Sequence, residues 1–184
     1  MNTAIDKKVV IITGANGGIG MHYCREMLSN GFHVVMACRS ERTGKQALAT
    51  LQQEFTDPSI ELMLVDMSDV ESIKQFSALV LSKFKRLDAL VHNAGIYFFD
   101  KTKKLSAQNI ELNLAIHFVG PFVLTASLFP LLKQTDQSKV ISMSSKEHHG
   151  FKVDETDIQI ILKTLATWWR MPEANGRSLP SLTS

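Results

Sequence analysis

Thr13-Gly14-Ala15-Asn16-Gly17-Gly18-Ile19-Gly20 is the stretch that decides the reading of this chain. It follows residues 8–13, a short run rich in Val and Ile that reads as a buried strand. It opens a helix expected over about residues 19–29, which Asn30-Gly31 stops. In that strand-to-helix context a glycine pattern acquires a physical meaning. Gly14 permits the tight turn, Gly18 lets the backbone approach a pyrophosphate, and Gly20 lets helix and strand pack closely. Asn16 and Ile19 complete the same turn. Free N–H groups and the dipole at the helix start favour an anion there.

Outward from this turn, strands and helices alternate. Residues 33–38 read as a second strand, and 43–55 as a helix with Ala47, Leu48, Leu51 and Phe55 on one face. Pro58 breaks the chain before a third strand at 60–65. Ser68 and Glu71 have capping-box spacing, so a helix is expected from there to about Phe84. A fourth strand at 87–92 leads through a loop to a long helix over about 106–133, with a kink expected at Pro121. A fifth strand follows at 139–143. The pattern predicts βαβ units with right-handed crossovers: an α/β, doubly wound parallel sheet of Rossmann type, about five strands in the order 3-2-1-4-5. A ligand site is expected at the C-terminal edge of that sheet.

The remaining strand ends refine the site. NAD-selective sites place Asp or Glu at the end of the second strand; here stand Arg39 and Ser40. The planar fork of Arg39 matches a 2′-phosphate, which predicts NADP(H) rather than NAD(H). Asp66, after strand three, either accepts a bond from an adenine amino group or punctuates the start of a helix. In Asn93-Ala94-Gly95, after strand four, small residues let the backbone pass beside the cofactor, and Asn93 can brace neighbouring strands.

Together these residues resemble the short-chain dehydrogenase/reductase family, over roughly residues 7–157. The resemblance is carried by Thr-Gly-x-x-x-Gly-Ile-Gly, the Asp after strand three, Asn-Ala-Gly, and a fifth strand ending in Ser144-Ser145. Ala37-Cys38-Arg39-Ser40, Gly120-Pro121-Phe122-Val123-Leu124-Thr125, and Ser144-Ser145 followed by His148 look most like the retinol-dehydrogenase-like branch. The resemblance implies NADP(H)-dependent hydride transfer on a small-molecule alcohol or carbonyl substrate. It also implies four catalytic residues: Asn, Ser, Tyr and Lys. Ser145 matches the Ser. The position of the Asn, three residues before Gly120, is His117, which either joins a proton relay or packs the helix. Asn113 lies one helical turn too early. The Tyr-x-x-x-Lys pair, a general acid or base with its activating lysine, is missing from the segment after Ser145, because Tyr23 and Tyr97 are the chain's tyrosines. Catalysis is therefore expected to be impaired. The alternatives are a non-catalytic NADP-binding module or a truncated, non-functional product.

Two regions are expected: an NADP-binding domain over 1–157, and an atypical helix and tail over 158–184, with Ile158, Ile161, Leu162, Leu165 and Trp169 at helical spacing. The family's last two strands are not recognisable there, and family character stops near Gln159, which predicts truncation, frameshift or alternative splicing. Strand five is then an exposed edge. A formal net charge of +2 gives no argument for nucleic acid. No Cys/His/Asp grouping has metal-ligand spacing. Cys24 and Cys38 read as free thiols of a reducing compartment, so a cytoplasmic chain is expected, with no signal peptide and no membrane span. Self-association through the long helix is a further expectation from the resemblance.

Overall fold

Alternation along β1 (Val9–Thr13) explains the layering of the molecule. Val9 and Ile11 face one hydrophobic cluster, Val10 and Ile12 the other, and all four are essentially sealed from solvent. A strand covered on both faces must be apolar throughout, which is why it reads as a continuous run rather than an alternating one. The computed structural model describes residues 7–96 and 104–144.

From β1 the chain runs through α1 (Gly18–Ser29), β2 (His33–Cys38), α2 (Glu41–Glu54) and β3 (Ile60–Leu64). It continues through α3 (Val70–Lys83), β4 (Ala89–His92), α4 (Leu112–Leu114), a π-helical turn (Ala115–Val119), α5 (Gly120–Gln134) and β5 (Lys139–Ser142). The sheet order is β3-β2-β1-β4-β5, and each neighbouring pair is parallel. This is the doubly wound arrangement expected from the alternation of elements. One face is covered by α3 and α5, through Ile73, Phe76, Val80, Leu124, Leu128 and Leu131. The other is covered by α1 and α2, through Cys24, Leu28, Ala47 and Leu51. Strand order reverses direction at β1, so a crevice opens above the C-terminal ends of β1 and β4.

Two local expectations are corrected. The cap of α3 is Asp69, whose carboxylate accepts from the Glu71 N–H at 3.0 Å. Ser68 is diverted: its N–H and hydroxyl both donate to the Asp66 carboxylate, at 2.8 and 2.6 Å. The long helix does not begin at Ser106. The Ser106 hydroxyl accepts from the Gln108 and Ile110 N–H groups, and Asn109 takes φ of 58°, so a turn forms instead. The helical run starts at Leu112, where the Glu111 carboxylate accepts from the Leu114 N–H at 2.8 Å.

The irregularity expected at Pro121 takes the form of the π-helical turn just before it. Gly120 N–H bonds to Ala115 O, one residue farther back than in an α-helix. Pro121, which has no N–H, then falls in the first turn of α5, directly after that wide bond. The run Leu112–Gln134 is long and apolar enough to cross a membrane by length and composition. In this fold its inner residues Ile116, Leu124, Leu128 and Leu131 lie in the core.

Strand β5 stands at the edge of the described sheet, paired with β4 alone, with Val140 and Ile141 exposed. Ser145, the proposed boundary at residue 157 and the helix expected over 158–169 lie outside the described residues.

Candidate functional site

The glycine turn is locked from below by one buried hydroxyl. Thr13 Oγ1 donates to Val91 O at 3.2 Å and accepts from the N–H groups of Asn93 and Ala94, both at 3.0 Å. The Asn93 side chain donates to Thr13 O at 2.9 Å and Gly14 O at 3.2 Å. The bracing role expected of Asn93 is thus a pair of bonds tying the end of β4 to the turn after β1. Gly14 has φ of 65°, and a Cβ on it would lie 2.8 Å from the Ala94 Cα. A Cβ on Gly20 would lie 2.4 Å from Gly14 O and 2.6 Å from Asn93 Nδ2. Neither position accommodates a side chain, so both glycines are needed for the turn, strand end and helix to meet.

Above the turn lies an open cleft of about 720 Å³. Its lining includes Gly14, Asn16, Gly18 and Ile19 from the turn, and Arg39, Ser40 and Thr43 after β2. Val65, Asp66 and Met67 line it after β3, and Asn93, Ala94, Gly95, Ile96 and Ile116 complete it. Of the cofactor residues expected from the sequence, Gly20 alone does not line the cleft; it lies beneath the turn and sets its geometry.

Several features of the cleft suit a dinucleotide. The α1 N-terminus has no side-chain cap and no acidic residue in its first turn, so its first N–H groups are available to an anion. Space above Gly18 is open, with nothing within 4 Å of where a Cβ would stand. Arg39 is exposed and has no hydrogen-bond or ion-pair partner among the described residues. Beside it, Asn16 donates to Thr43 Oγ1 at 2.8 Å, joining the glycine turn to the first turn of α2. Ser40 caps that helix, its hydroxyl accepting from the Thr43 N–H. Asp66 already holds a turn through Ser68, so the punctuation role read from the sequence is realised, and the residue lines the cleft as well.

A family comparison decides the lineage: the pattern described as short chain dehydrogenase matches residues 8–152. The chain belongs to the short-chain dehydrogenase family. It is 36% identical to retinol dehydrogenase 12 of Bos taurus over 152 residues, 83% of this chain and 48% of the relative. It is 36% identical to dehydrogenase/reductase SDR family member 13 of Bos taurus, over 81% of this chain and 38% of the relative. These relatives place it in the retinol-dehydrogenase-like branch, and the chain spans about half or less of their length. Among solved structures it is similar to an alcohol dehydrogenase from Thermococcus sibiricus complexed with 5-hydroxy-NADP. That likeness has a TM-score of 0.64 at 28% identity, and covers 75% of this chain and 58% of the other. A metagenomic short-chain oxidoreductase in complex with NADP gives 0.61 at 25% identity, covering 75% and 62%. Membership makes this an oxidoreductase-family domain whose cleft is of the kind that takes a nicotinamide cofactor, NAD(P)(H).

The catalytic positions are less complete. His117 lies in the π-helical turn, with Nε2 2.9 Å from Ile96 O. Asn113 is exposed and donates to Glu111. Tyr23 sits in α1, its hydroxyl directed to Met143 Sδ at 3.5 Å, and does not line the cleft. Ser145 lies outside the described residues, as do Tyr97 and Lys101. Those last two stand at Tyr-x-x-x-Lys spacing directly after Ile96. The expected absence of a Tyr-x-x-x-Lys pair therefore holds for the segment after Ser145 and not for the chain as a whole.

One buried group was not singled out from sequence. His92, at the end of β4, is 6% exposed, with Nε2 2.8 Å from Thr125 Oγ1. Its Nδ1 has no partner among the described residues. Burial drives its pKa down from 6.5 to about 4, so the ring is neutral at physiological pH. The free thiols of Cys24 and Cys38 are also buried, and desolvation raises them to about 12 and about 11, far from a reactive thiolate.

Proposed function

We propose that the chain binds NADP(H) in this cleft in preference to NAD(H), as the cofactor half of an oxidoreductase acting on an alcohol or carbonyl. The observation that carries the preference is Arg39: an exposed guanidinium without a partner among the described residues, lining the cleft at the end of β2, where an acid would select NAD. The NADP complexes of the structural relatives support the same reading. Arg39, with Ser40 and Thr43 beside it, would hold the adenosine 2′-phosphate. The α1 N-terminus would hold the diphosphate, and Asp66 would border the adenine. The far end of the dinucleotide would lie against Asn93 to Ile96. The nicotinamide, when bound, supplies or accepts the hydride.

The apolar lining from Ile96 and Ile116 suits an apolar reactant near that end. By the resemblance, Ser145 would hold the substrate oxygen. We further propose that this 184-residue chain is catalytically impaired, because no tyrosine follows Ser145 to act as the proton donor or acceptor.

Fluorescence titration with NADPH and NADH tests the cofactor reading. Saturable binding that favours NADPH, weakened roughly tenfold or more in Arg39→Ala as expected for a lost charge-assisted contact, is the expected result. Equal affinity for both cofactors, or an indifferent Arg39→Ala, overturns it. Substrate-dependent NADPH oxidation that disappears in Tyr97→Phe would overturn the impaired-catalysis reading.

A further inference from the structure

Asp66 lines the cleft with one carboxylate oxygen uncommitted. Both donors of Ser68, its N–H and its hydroxyl, go to Oδ1, and Oδ2 takes no bond among the described residues. Such an acceptor can read a base only if the turn that carries it is held still. On its inner side the turn is tied to α3: the Asp66 N–H donates to Ser72 Oγ at 2.9 Å. Asp66 O accepts from the Asp69 N–H at 3.1 Å. Asp69, the cap of α3, is in turn gripped from outside by a side chain 39 residues away, that of Gln108.

Gln108 is half-buried and uses both ends of its amide. Nε2 donates to Asp69 Oδ1 at 2.9 Å, and Oε1 accepts from the Val70 N–H at 3.5 Å. This orientation of the amide is the one that works, because a carboxylate only accepts and an N–H only donates. The residue stands at the tip of a stiff turn. The Ser106 hydroxyl accepts from the Gln108 and Ile110 N–H groups, both at 3.3 Å. The Ser106 N–H donates to Ile110 O at 2.8 Å, and the Leu112 N–H to Lys104 O at 2.9 Å, so the base of the turn is closed. Leu112 opens the helical run that also carries Gly120, where a Cβ would collide with Met67 O. The Asp66–Met67 wall is thus met by the start of α5 at one point and, through Asp69, by Gln108 at another.

We propose that Gln108 is a positioning residue for the adenine end of the cleft: its amide fastens the turn over 104–112 to the cap of α3 and so sets where the Asp66 carboxylate meets the base. This rests on the NADP(H) reading above. Gln108 acts through Asp69 and touches no part of the cofactor.

The test compares two ligands on four chains. NADPH carries the adenine amino group; its hypoxanthine analogue, reduced nicotinamide hypoxanthine dinucleotide phosphate, lacks it. Both are titrated into the full wild-type chain, Gln108→Leu, Gln108→Glu and the double variant Asp69→Asn/Gln108→Glu, each checked for cooperative unfolding. The wild type is expected to favour NADPH about fivefold, the worth of one hydrogen bond. In Gln108→Leu that preference should fall toward one, with NADPH weakened and the analogue little changed. Gln108→Glu sets two carboxylates against each other and should do the same or more. The double variant exchanges the amide and the carboxylate, keeps a capping side chain on α3, and should recover most of the preference. An unchanged preference in both single variants, equal loss of both ligands, no recovery in the double variant, or a wild type indifferent to the base overturns the positioning role and leaves the cofactor reading intact. Failure of the wild-type chain to bind either ligand overturns both.

Discussion

Replacing Gly20 by Ala tests how tightly the glycine turn is built. The added methyl would lie 2.4 Å from Gly14 O, 2.6 Å from Asn93 Nδ2 and 3.0 Å from the Ala15 Cα. Two of these are backbone atoms. The third belongs to an amide held by two hydrogen bonds, so none yields cheaply. Overpacking of this kind costs about 1–3 kcal/mol. With two contacts below 3.0 Å the upper end applies. Because Gly20 lies in α1, alanine's better helix propensity returns up to about 1 kcal/mol. The net loss is therefore about 2 kcal/mol, roughly 4–8 °C in Tm for a chain of this size.

Gly17→Ala is the matched control. Gly17 has extended backbone, and nothing lies within 4 Å of its Cβ position, so a change within about 0.5 kcal/mol is expected. Urea denaturation of both variants, followed by circular dichroism, reads the difference. A Gly20→Ala chain as stable as Gly17→Ala would refute the close-approach argument for this turn.

Three other outcomes are expected. Thr13→Val keeps the shape of the side chain but leaves the Asn93 and Ala94 N–H groups without their acceptor; a loss of roughly 2 kcal/mol or more is expected on urea denaturation. His92 makes stability depend on pH. Its folded pKa, about 4, lies below its ordinary 6.5, so its contribution is complete above 6.5 and is lost as pH falls from 6.5 toward 4. The full span corresponds to roughly 3 kcal/mol, and His92→Gln should flatten the stability profile in that window. The carboxylates act lower. Burial works to raise Glu61 and Asp88, but His33 and Lys83 in one case, and Arg86 with the Val9 N–H in the other, outweigh it and hold both below their ordinary values of 4.5 and 3.8. Their contribution is present above those values and is lost as pH falls through the depressed folded ones, so Asp88→Asn should change the profile only at the acid end, below the His92 window.

Most of the fold was legible because its signals are local. Apolar strands, the glycine turn and helical periodicity give the element order, and the handedness of βαβ units then restricts the topology to the order observed. Helix starts were less legible, because competing side chains stand within a few residues of one another. Ser68 has the spacing of a cap, but Asp66 captures it, and Asp69 takes the cap instead. Ser106 looks like a helix start, yet the left-handed Asn109 closes a turn and Glu111 caps the helix. The π-helical turn has no periodic signature of its own, although a Gly120-Pro121 pair in an apolar helix marks where regular bonding must fail.

In the cleft, Arg39, Ser40, Asp66 and Asn93 to Gly95 were readable because each sits at the end of a strand, where the fold concentrates ligand contacts. The roles of Thr13 and His92 were not, because both act through bonds to elements about 80 and 33 residues away in sequence. The contact from His117 to Ile96 was hidden for the same reason, at a separation of 21.

The most direct measurement is a crystal structure of the full chain grown with NADP+. The account predicts the 2′-phosphate within hydrogen-bond distance of the Arg39 guanidinium, with the diphosphate over Gly18 at the start of α1. A dinucleotide bound away from this cleft, or a 2′-phosphate in the cleft with Arg39 turned into solvent, would contradict it.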